Sequence, residues 1–187
     1  MRRFALIIAA MAVMGVFAQE ALAQSAHLKG RNPVAFTDGG LTLSAMVSYA
    51  GLGNFDTLQV LTATGGTAST CTNQGGNTAP GQNPAPVTLV GETPIPAGDI
   101  KNGNVTITTG TASPVTPVPG APGCANENWT EDITDVSFTA ATIKLFQDSN
   151  ENGMFEDPAE LVLTVSCTFS PATSDGSVPR SGFTCTT

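Results

Sequence analysis

The feature that most constrains the fold is a repeated alternation of apolar and hydroxylated residues. Residues 41–49 are apolar at odd positions and mostly Ser or Thr at even positions, and residues 105–108 and 161–169 follow the same rule. A period of two gives a β-strand one buried face and one solvated face. No convincing helical stripe occurs after residue 23. The pattern therefore predicts an all-β protein.

Gly, Asn and Pro clusters separate these strands from further short apolar runs. Such spacing is typical of a β-sandwich rather than an α/β fold, and we expect about seven to nine antiparallel strands in an immunoglobulin-like architecture. Further strands are predicted at residues 56–63, 67–72, 87–92, 136–147 and 182–186. Two long loops lie between them, residues 73–86 and the proline-rich residues 111–123. Loops of this length commonly carry function.

Residues 1–23 have the order of a secretory signal peptide. Arg2 and Arg3 precede an uncharged stretch, residues 4–17, and Ala21-Leu22-Ala23 supplies the small residues of a cleavage site. The uncharged stretch is shorter than the roughly 20 residues that a membrane-spanning helix needs. We therefore expect export and cleavage of this segment.

The remaining chain has the length of one domain. We expect residues 24–33 to form a flexible arm and residues 34–187 to form a single sandwich domain. The expected location is secreted and extracellular, with the periplasm as the alternative.

Four cysteines in an exported chain predict two disulfides. Of the three connectivities, we favour Cys71–Cys124, which tethers two segments rich in Gly, Pro and Asn, and Cys167–Cys185, which joins two strand-like runs across a turn. A four-cysteine zinc site is the alternative, but the sequence contains no Cys-x-x-Cys pair.

Acidic residues outnumber basic ones. The chain has 15 Asp and Glu against 7 Lys and Arg, a formal net charge of −8. Nucleic acids and anionic membranes are bound through clustered Lys and Arg, so the charge argues against both as partners and leaves a glycan or a protein open. Many of the acids fall between residues 127 and 160. This concentration predicts either a solvated acidic face or a cation site.

The side chains of common catalytic centres are scarce. His27 is the only histidine, which disfavours Ser–His–Asp and Cys–His mechanisms and metal sites with several histidines. No Gly-x-Ser-x-Gly, P-loop or dinucleotide motif occurs. A glycosidase-type pair of carboxylates stays open, although sugar clefts usually need several aromatic platforms. We expect a protein that is not an enzyme.

Trp129, the single tryptophan, has two interpretations. It packs beside the Cys124 bridge, as aromatic residues do in other sandwiches. Alternatively, it forms a platform on which a sugar stacks, with Asn126 and Asn128 as hydrogen-bonding neighbours. The second interpretation predicts a carbohydrate-binding module.

Residues 148–160 contain the strongest chemical motif. Calcium takes about 6–8 oxygen ligands, and the spacing D-x-N-x-N-G supplies three side-chain oxygens before a glycine, Gly153, that permits a sharp turn. The twelfth position is Ala159 instead of the Glu of an EF-hand, and the alternative is an acidic hairpin tip without metal. The predicted ligands are Asp148, Asn150, Asn152, the carbonyl of Met154, and carboxylates from Glu156, Asp157 and Glu160.

Four blocks of the sequence resemble a group of small exported bacterial β-rich proteins that has no assigned function. The blocks are residues 51–54, 71–84, 124–130 and 133–143. The resemblance supports the pairing of Cys71 with Cys124, which both lie in these blocks, and it implies nothing about activity. The chain departs from the group by a longer acidic insert, residues 148–160, and by the additional pair Cys167 and Cys185.

These features predict a secreted, non-catalytic β-sandwich that acts as an extracellular structural, adhesive or binding module stabilised by calcium. A carbohydrate-binding module is the alternative function, and a secreted hydrolase is the third.

Overall fold

The computed structural model describes residues 26–82, 84–155 and 158–187. In this part of the chain, eleven strands form two antiparallel sheets stacked as a sandwich. The strands are β1 His27–Leu28, β2 Val34–Asp38, β3 Leu43–Ala50, β4 Thr57–Thr72, β5 Thr78–Pro80, β6 Val87–Ile95, β7 Val105–Gly110, β8 Thr130–Gln147, β9 Leu161–Phe169, β10 Gly176–Ser177 and β11 Phe183–Thr186. Two short 3-10 helices occupy Ala97–Asp99 and Arg180–Gly182. The described residues contain no helix with the length and hydropathy that crossing a bilayer requires.

The first sheet is built around β3. β7 pairs with β3 at residues 44–49, whereas β1 and β2 pair with it at residues 49–50 and 43–47. Because a strand has only two edges, β1 and β2 share the edge opposite β7. β10 extends the sheet beyond β2.

The second sheet has the order β11-β9-β8-β4, and β5 and β6 share the remaining edge of β4. β4 and β8 have 16 and 18 residues, whereas the longest strand of the first sheet has 8. The proline-rich loop packs against the start of β8, where the Val118 amide donates to the Glu131 carbonyl over 2.8 Å.

The inward-facing residues of the two sheets form a common core, as the alternating pattern predicts. Phe36 of β2 contacts Phe169 and Phe183 of the other sheet, with ring centroids 5.0 Å apart and near-perpendicular planes in both pairs. Edge-to-face packing of this kind adds to the free energy gained from burying the rings. The core also contains Leu43, Val47, Leu61, Phe138, Ile143, Leu145 and Val165.

Both predicted disulfides are confirmed. Cys71 of β4 is bonded to Cys124 in the loop before β8, and Cys167 of β9 is bonded to Cys185 of β11, its direct partner in the sheet register. No free cysteine remains in the described residues. The four-cysteine zinc alternative is therefore wrong.

The strand prediction needs three corrections. Eleven strands replace the expected seven to nine: β1, β5 and β10 have only two or three residues and leave no periodic signal, and the five-residue β2 lies outside the predicted strands. Part of the expected flexible arm, residues 24–33, is paired in the sheet: His27 and Leu28 lie opposite Ala50 and Tyr49. Leu28 also packs against the core.

The third correction concerns β4, which is one strand instead of the two predicted at residues 56–63 and 67–72. Its register against β8 shifts at Gly65 without ending the pairing. A Cβ at Gly65 would lie 2.7 Å from the Ser137 carbonyl oxygen. Glycine therefore permits the close approach of β8 at this irregularity, and the strand continues.

Gly91 of β6 lies against the backbone at the end of β7. A Cβ at this position would overlap the carbonyl oxygen of Gly110 and lie 2.6 Å from its carbonyl carbon. Both obstructing atoms belong to the backbone, so a larger residue must push the two segments apart. The hydrogen bond from the Ala112 amide to the Val90 carbonyl, 2.9 Å long, lies next to this contact and would weaken when the two segments move apart.

We therefore expect Gly91→Ala to lower the free energy of unfolding by about 2–3 kcal/mol. Gly98→Ala is the matched control, because a Cβ there meets no atom within 4 Å. Urea denaturation followed by Trp129 fluorescence measures both variants. Equal stability of the two variants would show that the close approach of β6 and β7 is absent.

Candidate functional site

The loop between β8 and β9 is closed at its base by two buried carboxylates. Asp148 and Glu160 are 5% and 3% exposed. The Gln147 amide donates to the Glu160 carbonyl over 3.0 Å, and the Asn150 amide donates to Glu160 Oε1 over 3.3 Å. These contacts place the first and last predicted calcium ligands at the same end of the loop.

The Asp148 carboxylate organises the turn that follows it. Its Oδ1 accepts a hydrogen bond from the Asn152 amide over 3.0 Å, and its Oδ2 accepts one from the Gly153 amide over 2.8 Å. Gly153 has φ +77°, the left-handed conformation that glycine adopts without strain. The sequence expectation that Gly153 permits a sharp turn is consistent with this geometry.

The two asparagines form local turns with the backbone. Asn150 Oδ1 accepts from the Asn152 amide over 3.0 Å, and Asn152 Oδ1 accepts from the Met154 amide over 2.8 Å. Each of these oxygens has two lone pairs and keeps acceptor capacity. The loop is therefore a series of Asx turns that fixes the positions of three side chains with oxygen ligands, those of Asp148, Asn150 and Asn152.

The acids of the described residues do not by themselves form a metal centre. Within residues 26–82, 84–155 and 158–187, no three His, Cys, Asp or Glu side chains are placed to hold a metal ion together. Two predicted ligands, Glu156 and Asp157, lie outside the described residues. Calcium binding at this loop stays a prediction.

A polar cavity of about 290 Å³ lies beside the loop, and sequence reasoning missed one of its acids. Asp56 lines this cavity together with Asp148, Glu151 and Asn54. The Asp148 amide donates to the Asp56 carbonyl over 2.9 Å, while Asp56 Oδ1 accepts from the Ala97 amide over 2.8 Å. No sequence signal links Asp56 to the loop, because β4 and β8 bring the two segments together only in the sheet.

A second group of acids surrounds Gly40. Asp38 is buried and accepts hydrogen bonds from the Gly40 amide and the Thr173 hydroxyl. Burial raises the pKa of Asp135 above its ordinary value, and the charges of Asp175 and Asp38 add to this effect, while a backbone hydrogen bond from Val136 opposes it. These acids come from separate segments, so the sequence gives no sign of their proximity.

A second cavity is an apolar groove of about 520 Å³ under the proline-rich loop. Pro114, Pro119 and Pro122 of the loop face β6 and Ile133 of β8. Glu131 also lines the groove and is 1% exposed. Its Oε1 accepts from the Ser69 hydroxyl and its Oε2 from the Gly123 amide, both over 2.8 Å.

Trp129 lies in the turn before β8 and is partly exposed. Its amide donates to the Asn126 carbonyl over 3.1 Å, and the Asn128 amide donates to Asn126 Oδ1 over 3.0 Å. Asn126 and Asn128 are exposed beside it. Packing beside the Cys124 bridge and stacking on a ligand both stay predictions for this residue.

No protein-family model, curated protein or solved structure matches the chain. The resemblance to small exported bacterial proteins therefore stays a prediction, and the function must be argued from the geometry of this chain.

Proposed function

We propose that this protein is a secreted, non-catalytic β-sandwich of immunoglobulin-like architecture that serves as an extracellular structural, adhesive or binding module, and that calcium orders its 148–160 loop. The observation that carries the proposal is the burial of two carboxylates, Asp148 and Glu160, at the base of a loop that also aligns Asn150 and Asn152. Two disulfides support export, because such bonds persist in oxidising compartments.

The donor set of the loop fits a hard cation. Calcium is held by carboxylate, amide and carbonyl oxygens in flexible geometry. Asp148 uses one lone pair of each oxygen for a backbone amide and keeps another for a ligand. A divalent cation would also relieve the repulsion between neighbouring carboxylates, since burial strengthens interactions between charges.

We expect calcium to raise the melting temperature of protein that has first been stripped with chelator. Extracellular modules bind calcium at about 10⁻⁴–10⁻³ M. Calcium at tenfold its dissociation constant should add about 1.4 kcal/mol of stability, a shift of about 3–6 °C for a domain of this size. Magnesium should produce a smaller shift, because it demands near-ideal octahedral geometry.

Asp148→Asn tests whether the 148–160 loop is responsible for the rise in melting temperature with calcium. The substitution keeps one acceptor for the backbone amides and removes the negative charge, so the calcium shift should disappear. Glu127→Gln is the matched control, because Glu127 is exposed before the start of β8, whereas Asp148 follows the end of this 18-residue strand. A melting curve unchanged by millimolar calcium would reduce the loop to an ordinary acidic turn.

A further inference from the structure

The apolar groove has the properties of a preformed small-molecule site. Its volume of about 520 Å³ lies within the range of about 300–1,000 Å³ typical of ligand cavities. Proline fixes its own φ angle, so walls built from Pro114, Pro119 and Pro122 lose little conformational entropy when a ligand binds.

Both ends of the proline-rich loop are tied to the sandwich. The Thr111 amide donates to the Leu43 carbonyl over 2.9 Å, and the Ala112 amide donates to the Val90 carbonyl over the same distance. At the far end, Cys124 is held by its disulfide. The groove is therefore part of the rigid fold and needs no rearrangement to form.

Glu131 gives the groove a defined chemistry. The carboxylate is almost fully buried, and its hydrogen bonds come from two neutral donors, the Ser69 hydroxyl and the Gly123 amide. No Lys, Arg or His is among the described residues that line the groove. Buried charges are ordinarily paired, so a cation is the complementary ligand group.

We propose that the groove binds a small aliphatic amine, with the ammonium group on the groove wall next to Glu131, attracted by the charge of the buried carboxylate, and the hydrocarbon chain along the prolines and valines. The formal net charge of −8 favours a cation over an anion in the surrounding field. The apolar walls exclude water and strengthen the contact between ammonium and carboxylate. This inference rests on the proposed role as a binding module and names its ligand class.

The test uses three probes of equal chain length: hexylammonium, hexanol and hexanoate. Binding is followed by two-dimensional ¹H–¹⁵N NMR titration of the whole exported protein. We expect shifts confined to the groove, including Val90, Val115 and Ile133. Hexylammonium should bind about tenfold more tightly than hexanol, because the charge of the carboxylate attracts an ammonium much more strongly than a neutral hydroxyl. Hexanoate should bind most weakly.

Two variants test separately how the charge of Glu131 and how access to the groove contribute to binding. Glu131→Gln should remove the preference for hexylammonium over hexanol. Because Glu131 also holds Ser69 and Gly123 and its replacement could prevent folding, Val115→Trp provides a second test. Val115 is 74% exposed at the groove, so tryptophan there should block entry without unfolding the protein. Val162→Trp, on an exposed position of β9 outside the groove, is the matched control.

The proposal is overturned if no probe shifts groove resonances, if hexanol binds as tightly as hexylammonium, or if Val115→Trp and Val162→Trp bind equally well. The calcium response of the 148–160 loop is measured separately in the same samples. A missing calcium shift with intact amine binding would therefore count against the calcium proposal alone.

Discussion

Replacing Cys71 and Cys124 with serine should lower the free energy of unfolding by about 4 kcal/mol. The bridge closes a loop with a sequence separation of 53 residues. In the chain-entropy model, a disulfide stabilises a fold by restricting the unfolded chain, and the effect grows slowly with loop length. Loss of this bridge also releases one end of the proline-rich loop, which leaves Glu131 with fewer fixed partners. Urea denaturation with Trp129 fluorescence measures the change.

The second bridge provides the matched comparison. Cys167 and Cys185 are separated by 18 residues and already lie opposite each other on two paired strands. Their replacement by serine should lower the free energy of unfolding by about 3 kcal/mol. The amine probes of the groove should distinguish the two variants further, because only the first bridge anchors the groove. A Cys71→Ser/Cys124→Ser variant as stable as the parent would contradict the structure of this loop.

The disulfides were predictable from sequence because one pair of cysteines lies in strand-like runs and the other lies in segments rich in Gly, Pro and Asn. Cys167 and Cys185 fall on alternating strand-like runs joined by a turn, so direct pairing across a sheet was the simplest geometry. Strands β3 and β9 were predictable for a related reason, since alternation over eight and nine residues leaves a clear periodic signal. The two-residue strands β1 and β10 have no such signal.

The chemistry of the interior was much less predictable. Glu131 belongs to a run of acids that is typical of a solvated face, yet the fold buries this residue under the proline-rich loop. In β4, Gln59 is fully buried, whereas its apolar neighbours Leu58 and Val60 are only half-buried. Local patterning favours apolar residues inside a sandwich, whereas burial of a polar residue depends on partners that distant strands supply.

Gln59 is buried because it joins the two sheets through hydrogen bonds. The Tyr49 hydroxyl of β3 donates to Gln59 Oε1 over 2.6 Å, and Gln59 Nε2 donates to the Thr109 hydroxyl of β7 over 2.9 Å. All three side chains have no exposed surface. Burial raises the pKa of the Tyr49 hydroxyl far above its ordinary value. The folded state therefore keeps a proton that the unfolded state releases above about pH 10, and stability should fall as the pH rises past that value.

Gln59→Leu should therefore destabilise the protein by about 2–6 kcal/mol, although leucine is apolar and similar in size. The substitution leaves the Tyr49 hydroxyl without an acceptor and the Thr109 hydroxyl without its donor, and each unsatisfied buried group costs about 1–3 kcal/mol. Adding Tyr49→Phe and Thr109→Val removes both orphaned hydroxyls with little change in shape. The triple variant should regain most of the lost stability, because replacing all partners with apolar groups can be nearly neutral. Urea denaturation of the single, double and triple variants completes the cycle. If the triple variant is as unstable as Gln59→Leu alone, the loss comes from packing, and the hydrogen bonds between the sheets are not its cause.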